Sequence, residues 1–113
     1  MAEETIFSRI IKGEITCDEI YTDDKCIAFR DIEPQAPVHI LVIPKKTILN
    51  LTEVVEDDKE LLGHLILISS KIAKQEGLKS WRMVINNGTE AGQTVFHLHI
   101  HIIGGRKLNW PPG

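Results

Sequence analysis

Residues 94–105 read TVFHLHIHIIGG, and the alternation within that run constrains the fold more than any other feature of the chain. His97, His99 and His101 stand at every second position, with Leu98, Ile100 and Ile102 between them. A period of two marks an extended strand whose successive side chains point to opposite faces. The three histidines therefore share one face, and the leucine and isoleucines turn the other way, against a core. Neighbouring histidines are then about 6.7 Å apart at Cα, and the outer two about 13 Å. Two such imidazoles can converge on one Zn²⁺, but the third is badly placed to join them at Zn–N distances of about 2.1 Å. A metal would need a ligand from elsewhere, with His39 the candidate, and neither Cys17 nor Cys26 lies in a C-x-x-C pair. Three explanations stay open at this level. The run is a metal site, the polar face of a half-exposed strand, or a row of imidazoles that act as nucleophile, acid or base near neutrality.

The rest of the chain supplies what such a strand packs against. Ile6, Phe7, Ile10 and Ile11 fall on one side of a short helix over Thr5 to Lys12, and Gly13 stops it. Asp18 to Thr22 and Lys25 to Asp31 read as two strands of a hairpin turned at Asp23-Asp24, with Thr22 opposite Lys25. The proline-rich IEPQAP is a loop, and HILVIP (39–44) is apolar enough for a strand buried on both faces. Leu61, Leu62, Leu65, Ile68, Ile72 and Ala73 recur at helical spacing in a main helix over Asp57 to Glu76, opened by acids and closed by Gly77. His64 lies in that helix, matches no motif and reads as structural. Trp81 to Asn86 and Val95 to Ile103 complete the strands. The order α-β-β-β-α-β-β predicts a single α+β domain over 1–113, with a five-stranded, mainly antiparallel sheet carrying one long and one short helix.

The net charge is −3 and the 13 lysines and arginines are scattered, which argues against a nucleic-acid polymer and leaves a small anionic ligand open. In the predicted hairpin register Cys17 and Cys26 stand too far apart for a disulfide, so both are expected as free thiols in a reducing compartment. The start MAEETIFSRIIKGE carries no apolar run of signal-peptide length, and the longest apolar run, Leu65 to Ile68, is far too short for a membrane span. A cytoplasmic location without membrane contact is the expectation.

The loop NNGTEAGQT, just before the histidines, places Gly88 and Gly92 for close backbone approach and offers Gln93 and Thr94 as side-chain donors. Amides, an amide side chain and a hydroxyl beside an imidazole suit a phosphate.

With these residues in hand, the chain resembles a family. His-Leu-His-Ile-His-Ile-Ile fits the pattern of the histidine triad (HIT) superfamily of nucleotide hydrolases and transferases. The resemblance extends from TIFSRIIKGEI through AFRDIEPQAPVHILVIPKK and NNGTEAGQTVFHLHIHIIGGR to WPPG, and is strongest to the Hint branch of histidine triad nucleotide-binding proteins, the purine nucleoside phosphoramidases. It implies that His99 is the nucleophile and carries the nucleotide transiently, flanked by His97 and His101, with His39 supporting the triad from a neighbouring strand and Thr94 handling the leaving group. It implies that Asn86, Gly92, Gln93 and Thr94 hold the α-phosphate, that Asp31 beside Ile32 binds the ribose hydroxyls, and that Ile6, Phe7, Ile10, Ile15 and Phe29 form the purine slot. It further implies a homodimer whose sheet continues across the twofold axis, with Trp110 reaching the partner's site, and ligands that are purine nucleoside monophosphates and phosphoramidates. No cofactor and no metal are expected. Thr94 departs from the serine common in this branch, and Thr5 and Ser8 stand where zinc-binding relatives carry a cysteine pair. A dinucleoside polyphosphate hydrolase and a non-catalytic nucleotide-binding regulatory module remain as alternatives.

Overall fold

A computed structural model describes residues 4–113; the first three residues of the acidic start lie outside the described residues. Two helices, α1 (Ile6–Ile11) and α2 (Lys59–Gln75), and five strands, β1 (Glu19–Thr22), β2 (Cys26–Arg30), β3 (Val38–Pro44), β4 (Trp81–Val84) and β5 (Ile100–Gly104), follow the predicted order, with short 3₁₀ turns at Leu51–Glu53, Glu56–Asp58 and Thr89–Ala91. One sheet holds all five strands in the order β1-β2-β3-β5-β4, and every neighbouring pair is antiparallel. The expected α+β architecture is what forms.

Each face of the sheet has its own core. Alternation in β2, β3 and β5 sends Ala28, Ile40, Val42, Ile100 and Ile102 to one side, where Leu65, Ile68, Ile72 and Ala73 of α2 cover them together with Leu98. These residues are 4 % exposed or less, so the apolar stripe of α2 is fully withdrawn from water. The opposite side carries Ile27, Phe29, Leu41 and Ile43, capped by Phe7 of α1. Helix α1 is only six residues long and is fixed by reciprocal capping: Ser8 N–H donates to Thr5 Oγ1 (3.1 Å) and Thr5 N–H to Ser8 Oγ (2.8 Å). At the far end of α2, Gly77 takes the left-handed φ of +75° that stops the helix.

Four boundaries differ from expectation, the simplest being the end of β4 at Val84 rather than Asn86. The hairpin does not turn tightly at Asp23-Asp24: Thr22 pairs with Ile27 and Tyr21 with Ala28. The cause is the Asp23 carboxylate, whose Oδ1 accepts from Lys25 N–H (2.7 Å) and Cys26 N–H (2.8 Å) and stabilises a longer turn. Cys17 and Cys26 are both free, as expected. The main helix starts at Lys59, because Asp58 accepts from Val55 N–H and pairs with Lys46, which tightens residues 56–58 into a 3₁₀ turn. The last strand begins at Ile100, five residues later than predicted, since Leu98 N–H donates to Ile48 O (2.7 Å) and keeps residues 95–99 out of the ladder. His97 and His99 thus stand at the entrance of β5 and only His101 lies within it. Among the described residues no helix is long and apolar enough to cross a membrane.

Candidate active site

The hydrogen-bond partners of the histidines fix which ring nitrogen carries each proton. His99 Nδ1 lies 2.7 Å from the backbone carbonyl of His97, which can only accept. Neutral His99 is therefore protonated at Nδ1, and its Nε2 keeps a free lone pair. Burial of the ring lowers its proton affinity against the opposing pull of that backbone bond, so the unprotonated form dominates at neutral pH. Phe7 meets the ring edge-on, with centroids 5.0 Å apart, and holds it from the α1 side.

The second chain of bonds runs through His39. Gln35 N–H donates to His39 Nδ1 (3.0 Å), so neutral His39 carries its proton on Nε2, which lies 2.9 Å from His101 Nδ1. His101 Nδ1 must then accept, and its own proton sits on Nε2, a buried atom with no partner among the described residues. Two imidazoles with ring centroids 4.9 Å apart thus present opposite capacities, a lone pair on His99 and an N–H on His101. Burial, reinforced by neighbouring His99 and His39, depresses the His101 pKa to about 4 despite the opposing Asp31 carboxylate. Asp31 Oδ2 lies 3.5 Å from His39 Nε2, while its Oδ1 accepts from Glu33 N–H (2.8 Å) and so is held at the start of the IEPQAP loop.

His97 has a different environment. It is 1 % exposed and its Nε2–H donates to Pro44 O (2.8 Å). It does not line the adjoining cavity, so its side chain is not placed to contact a phosphate there. It acts on His99 through its backbone carbonyl.

That cavity, about 460 Å³, brings together Ile6, Phe7, Ile10, Ile15 and Phe29 as one apolar wall, with Asp31, Ile32, Thr94, His99 and His101 completing it. All of these were anticipated from the sequence. Cys17, Asp18, Leu41 and Val95 also line it and were missed; of these, Leu41 could have been found, since it alternates onto the same face of β3 as His39.

The predicted phosphate loop divides. Thr94 is exposed at the cavity, whereas Asn86 faces a neighbouring groove and packs beside Gly92, where an added Cβ would lie 3.6 Å from Asn86 Nδ2. Gly92 itself has φ +100°, which other residues adopt only with strain. Gln93 is buried and its side chain is saturated: Oε1 accepts from Gly88 N–H (2.9 Å) and Nε2 donates to Leu49 O (2.8 Å) and Val95 O (3.1 Å). Its amide builds the loop and has no free donor to offer an anion. Trp110 is 80 % exposed, away from its own chain's cavity.

Among the described residues, two groups of side chains have metal-ligand chemistry. Asp31, His39 and His101 have ligand atoms within 4.8 Å of one another, and so do Asp23, Cys26 and His64. In the first group the direct His39–His101 hydrogen bond already occupies two of the donors. In the second, Asp23 Oδ2 accepts from Tyr21 Oη (2.6 Å) and from His64 Nε2 (2.7 Å), which ties α2 to the β1–β2 hairpin and accounts for His64 as a structural residue.

Comparison with known proteins now bears on this geometry. The family model described as HIT domain matches residues 12–108. An uncharacterized HIT-like protein of Synechococcus elongatus is 60% identical over the full length of both chains. The structure of a HIT family hydrolase from Legionella pneumophila superposes with a TM-score of 0.95 at 44% identity, covering 97% of this chain and 100% of that one. A histidine triad protein from Clostridium difficile gives a TM-score of 0.90 at 39% identity, covering 96% and 97% of the two chains.

Proposed function

This chain belongs to the HIT domain family, and from that premise we propose that it is a nucleotide-binding hydrolase that cleaves the P–N bond of purine nucleoside 5′-phosphoramidates through a nucleotidyl-histidine intermediate. The observation that carries this reading is the pairing of a lone pair on His99 Nε2 with an unpartnered N–H on His101 Nε2, at the wall of a nucleotide-sized cavity.

The purine lies against Ile6, Ile10, Ile15 and Phe29, the ribose hydroxyls meet Asp31, and the α-phosphorus stands between His99 and His101. His99 Nε2 attacks in line, forming an N–P bond as the bond to the amine breaks. The departing nitrogen takes a proton from the Thr94 hydroxyl, which relays it from solvent. His101 donates to a non-bridging oxygen, where charge builds in the transition state. Water then attacks the same phosphorus and passes its proton to solvent through the Thr94 hydroxyl, the His99–P bond breaks with its electron pair returning to His99 Nε2, and the nucleoside monophosphate is released. Loss of charge neutrality at His99 is limited because the His97 carbonyl accepts from the imidazolium-like Nδ1–H throughout.

The same reading includes a homodimer formed by α2 and β4. Ile66 and Leu67 are more than half exposed on α2, Trp110 is exposed at the C-terminal tail, and β4 is an unpaired edge of the sheet. Release of AMP from adenosine 5′-phosphoramidate by the wild-type protein, and its loss in His99→Ala, tests the catalytic proposal; mass measurement in solution tests the dimer.

A further inference from the structure

A second group of donors converges on the sheet face opposite the triad. Cys26 opens β2 on the side where Ala28 packs under α2, and it is fully buried there. His64 stands one helical turn before Ile68 and two before Ile72, so it continues the stripe of α2 that faces the sheet. Asp23, in the turn before β2, reaches the same point from the hairpin. One ligand atom from each of these three side chains lies within 4.8 Å of the other two. None of the three lines the nucleotide cavity, and none coincides with Thr5 or Ser8, where zinc-binding relatives carry their cysteine pair.

The carboxylate is held in place for a ligand role. Its Oδ1 accepts from Lys25 N–H (2.7 Å) and Cys26 N–H (2.8 Å), which fixes its plane. Its Oδ2 accepts from Tyr21 Oη (2.6 Å) and lies 2.7 Å from His64 Nε2. A tetrahedral Zn²⁺ with Zn–O and Zn–N of about 2.1 Å keeps those two atoms about 3.4 Å apart, and a Zn–S bond of about 2.3 Å sets the sulfur about 3.6 Å from each. Opening the Oδ2–Nε2 contact by about 0.7 Å reaches that spacing, a movement within the range of side-chain rotation. Charge points the same way. One thiolate and one carboxylate neutralise a divalent cation, so the loaded site buries no unpaired charge. The side chains of His64 and Asp23 are 26 % and 21 % exposed, which gives an ion a way in and a water the fourth position.

We propose that Asp23, Cys26 and His64 form a site for one zinc ion, which clamps α2 to the β1–β2 hairpin. A thiolate and an imidazole select Zn²⁺ or Co²⁺ over Mg²⁺ and Ca²⁺. On binding, Cys26 Sγ gives its proton to solvent, and His64 offers the lone pair of Nε2 with its proton carried on Nδ1. The Tyr21 hydroxyl keeps its bond to Asp23 and orients the carboxylate on the metal.

Cobalt reports such a site directly. Titration of the chelator-treated protein with Co²⁺ is expected to saturate at one ion per chain, with the visible bands of tetrahedral cobalt and a thiolate-to-cobalt charge-transfer band. Zn²⁺ should displace it with a Kd of about 1 µM or lower. A hundredfold excess of Zn²⁺ over that Kd should raise the Tm by about 10 °C. The charge-transfer band is expected to vanish in Cys26→Ser and to persist in Cys17→Ser. His64→Gln changes a partly exposed position and so keeps the test independent of folding defects; its Zn²⁺ affinity should fall at least about tenfold. Absence of saturable Zn²⁺ binding below about 100 µM, cobalt bound without the thiolate band, or wild-type Zn²⁺ affinity in His64→Gln would each overturn the site. Cobalt binding lost in His101→Gln but kept in His64→Gln would move the ion to the Asp31–His39–His101 group, and would overturn it as well.

Discussion

His39 and His101 are 62 positions apart in sequence, yet their ring nitrogens meet at 2.9 Å. Because Gln35 N–H occupies Nδ1 of His39, this contact sets the proton of His101 on Nε2, the buried nitrogen that has no partner among the described residues. Replacing His39 with alanine frees His101 to take either tautomer. Turnover of adenosine 5′-phosphoramidate is expected to fall by more than about tenfold in kcat, since a mis-set tautomer removes a transition-state donor. AMP binding is expected to change far less. Equal losses in kcat and in AMP affinity would show that His39 only supports the fold.

The depressed proton affinities of the triad set a pH dependence. His101, at about 4 in the folded protein, titrates near 6.5 when exposed in the unfolded chain, and His97 and His99 shift in the same downward direction through burial. Below pH 6.5 the unfolded chain binds protons that the folded one refuses, so these groups contribute stability that is complete above that pH and lost as pH falls toward about 4. Thermal unfolding measured from pH 7 to pH 4 should show a falling Tm, with a shallower slope in His101→Gln. A slope unchanged by that substitution would contradict the assignment.

Gln93 makes three side-chain hydrogen bonds while 2 % exposed. Gln93→Ala leaves Gly88 N–H and two carbonyls without partners, and is expected to cost about 2–4 kcal/mol of stability. Substrate KM should rise as the loop bearing Thr94 loses its anchor. A variant that unfolds at the wild-type temperature would refute the structural role.

The Asp23–His64 contact at 2.7 Å joins α2 to the hairpin, and neither residue lines the cavity. His64→Ala is expected to lower stability by about 1 kcal/mol, a modest value because both partners are about a quarter exposed. Hydrolysis by the folded variant should match the wild type. A catalytic defect larger than its stability loss explains would place His64 in the site after all.

Much of this was legible in the sequence because its information is local. HILVIP, the leucine and isoleucine stripe of α2, and the alternation of Leu98, Ile100 and Ile102 each follow from a period within one segment, and each is buried as that period requires. The triad, Asp31 and the apolar wall were legible through the family pattern. What escaped depends on side chains reaching across the fold. The hairpin register turns on which atoms the Asp23 carboxylate accepts from, and β5 starts late because Leu98 bonds to Ile48. Gln93 read as a phosphate donor because nothing nearby in sequence announces that Leu49 O will take its amide. The division of labour among three similar histidines likewise arises from Pro44, Gln35 and the His97 carbonyl, none of which the alternation encodes.

The central claim is that His99, alone of the three, forms a bond to phosphorus. Brief reaction with adenosine 5′-phosphoramidate, quenching under conditions that preserve phosphorus–nitrogen bonds, and peptide mass mapping test it directly. One AMP moiety is predicted on the segment 94–105 at His99, absent from His99→Ala, which should also lose at least about a thousandfold in kcat. An adduct on His97 or His101, or wild-type turnover by His99→Ala, would contradict it.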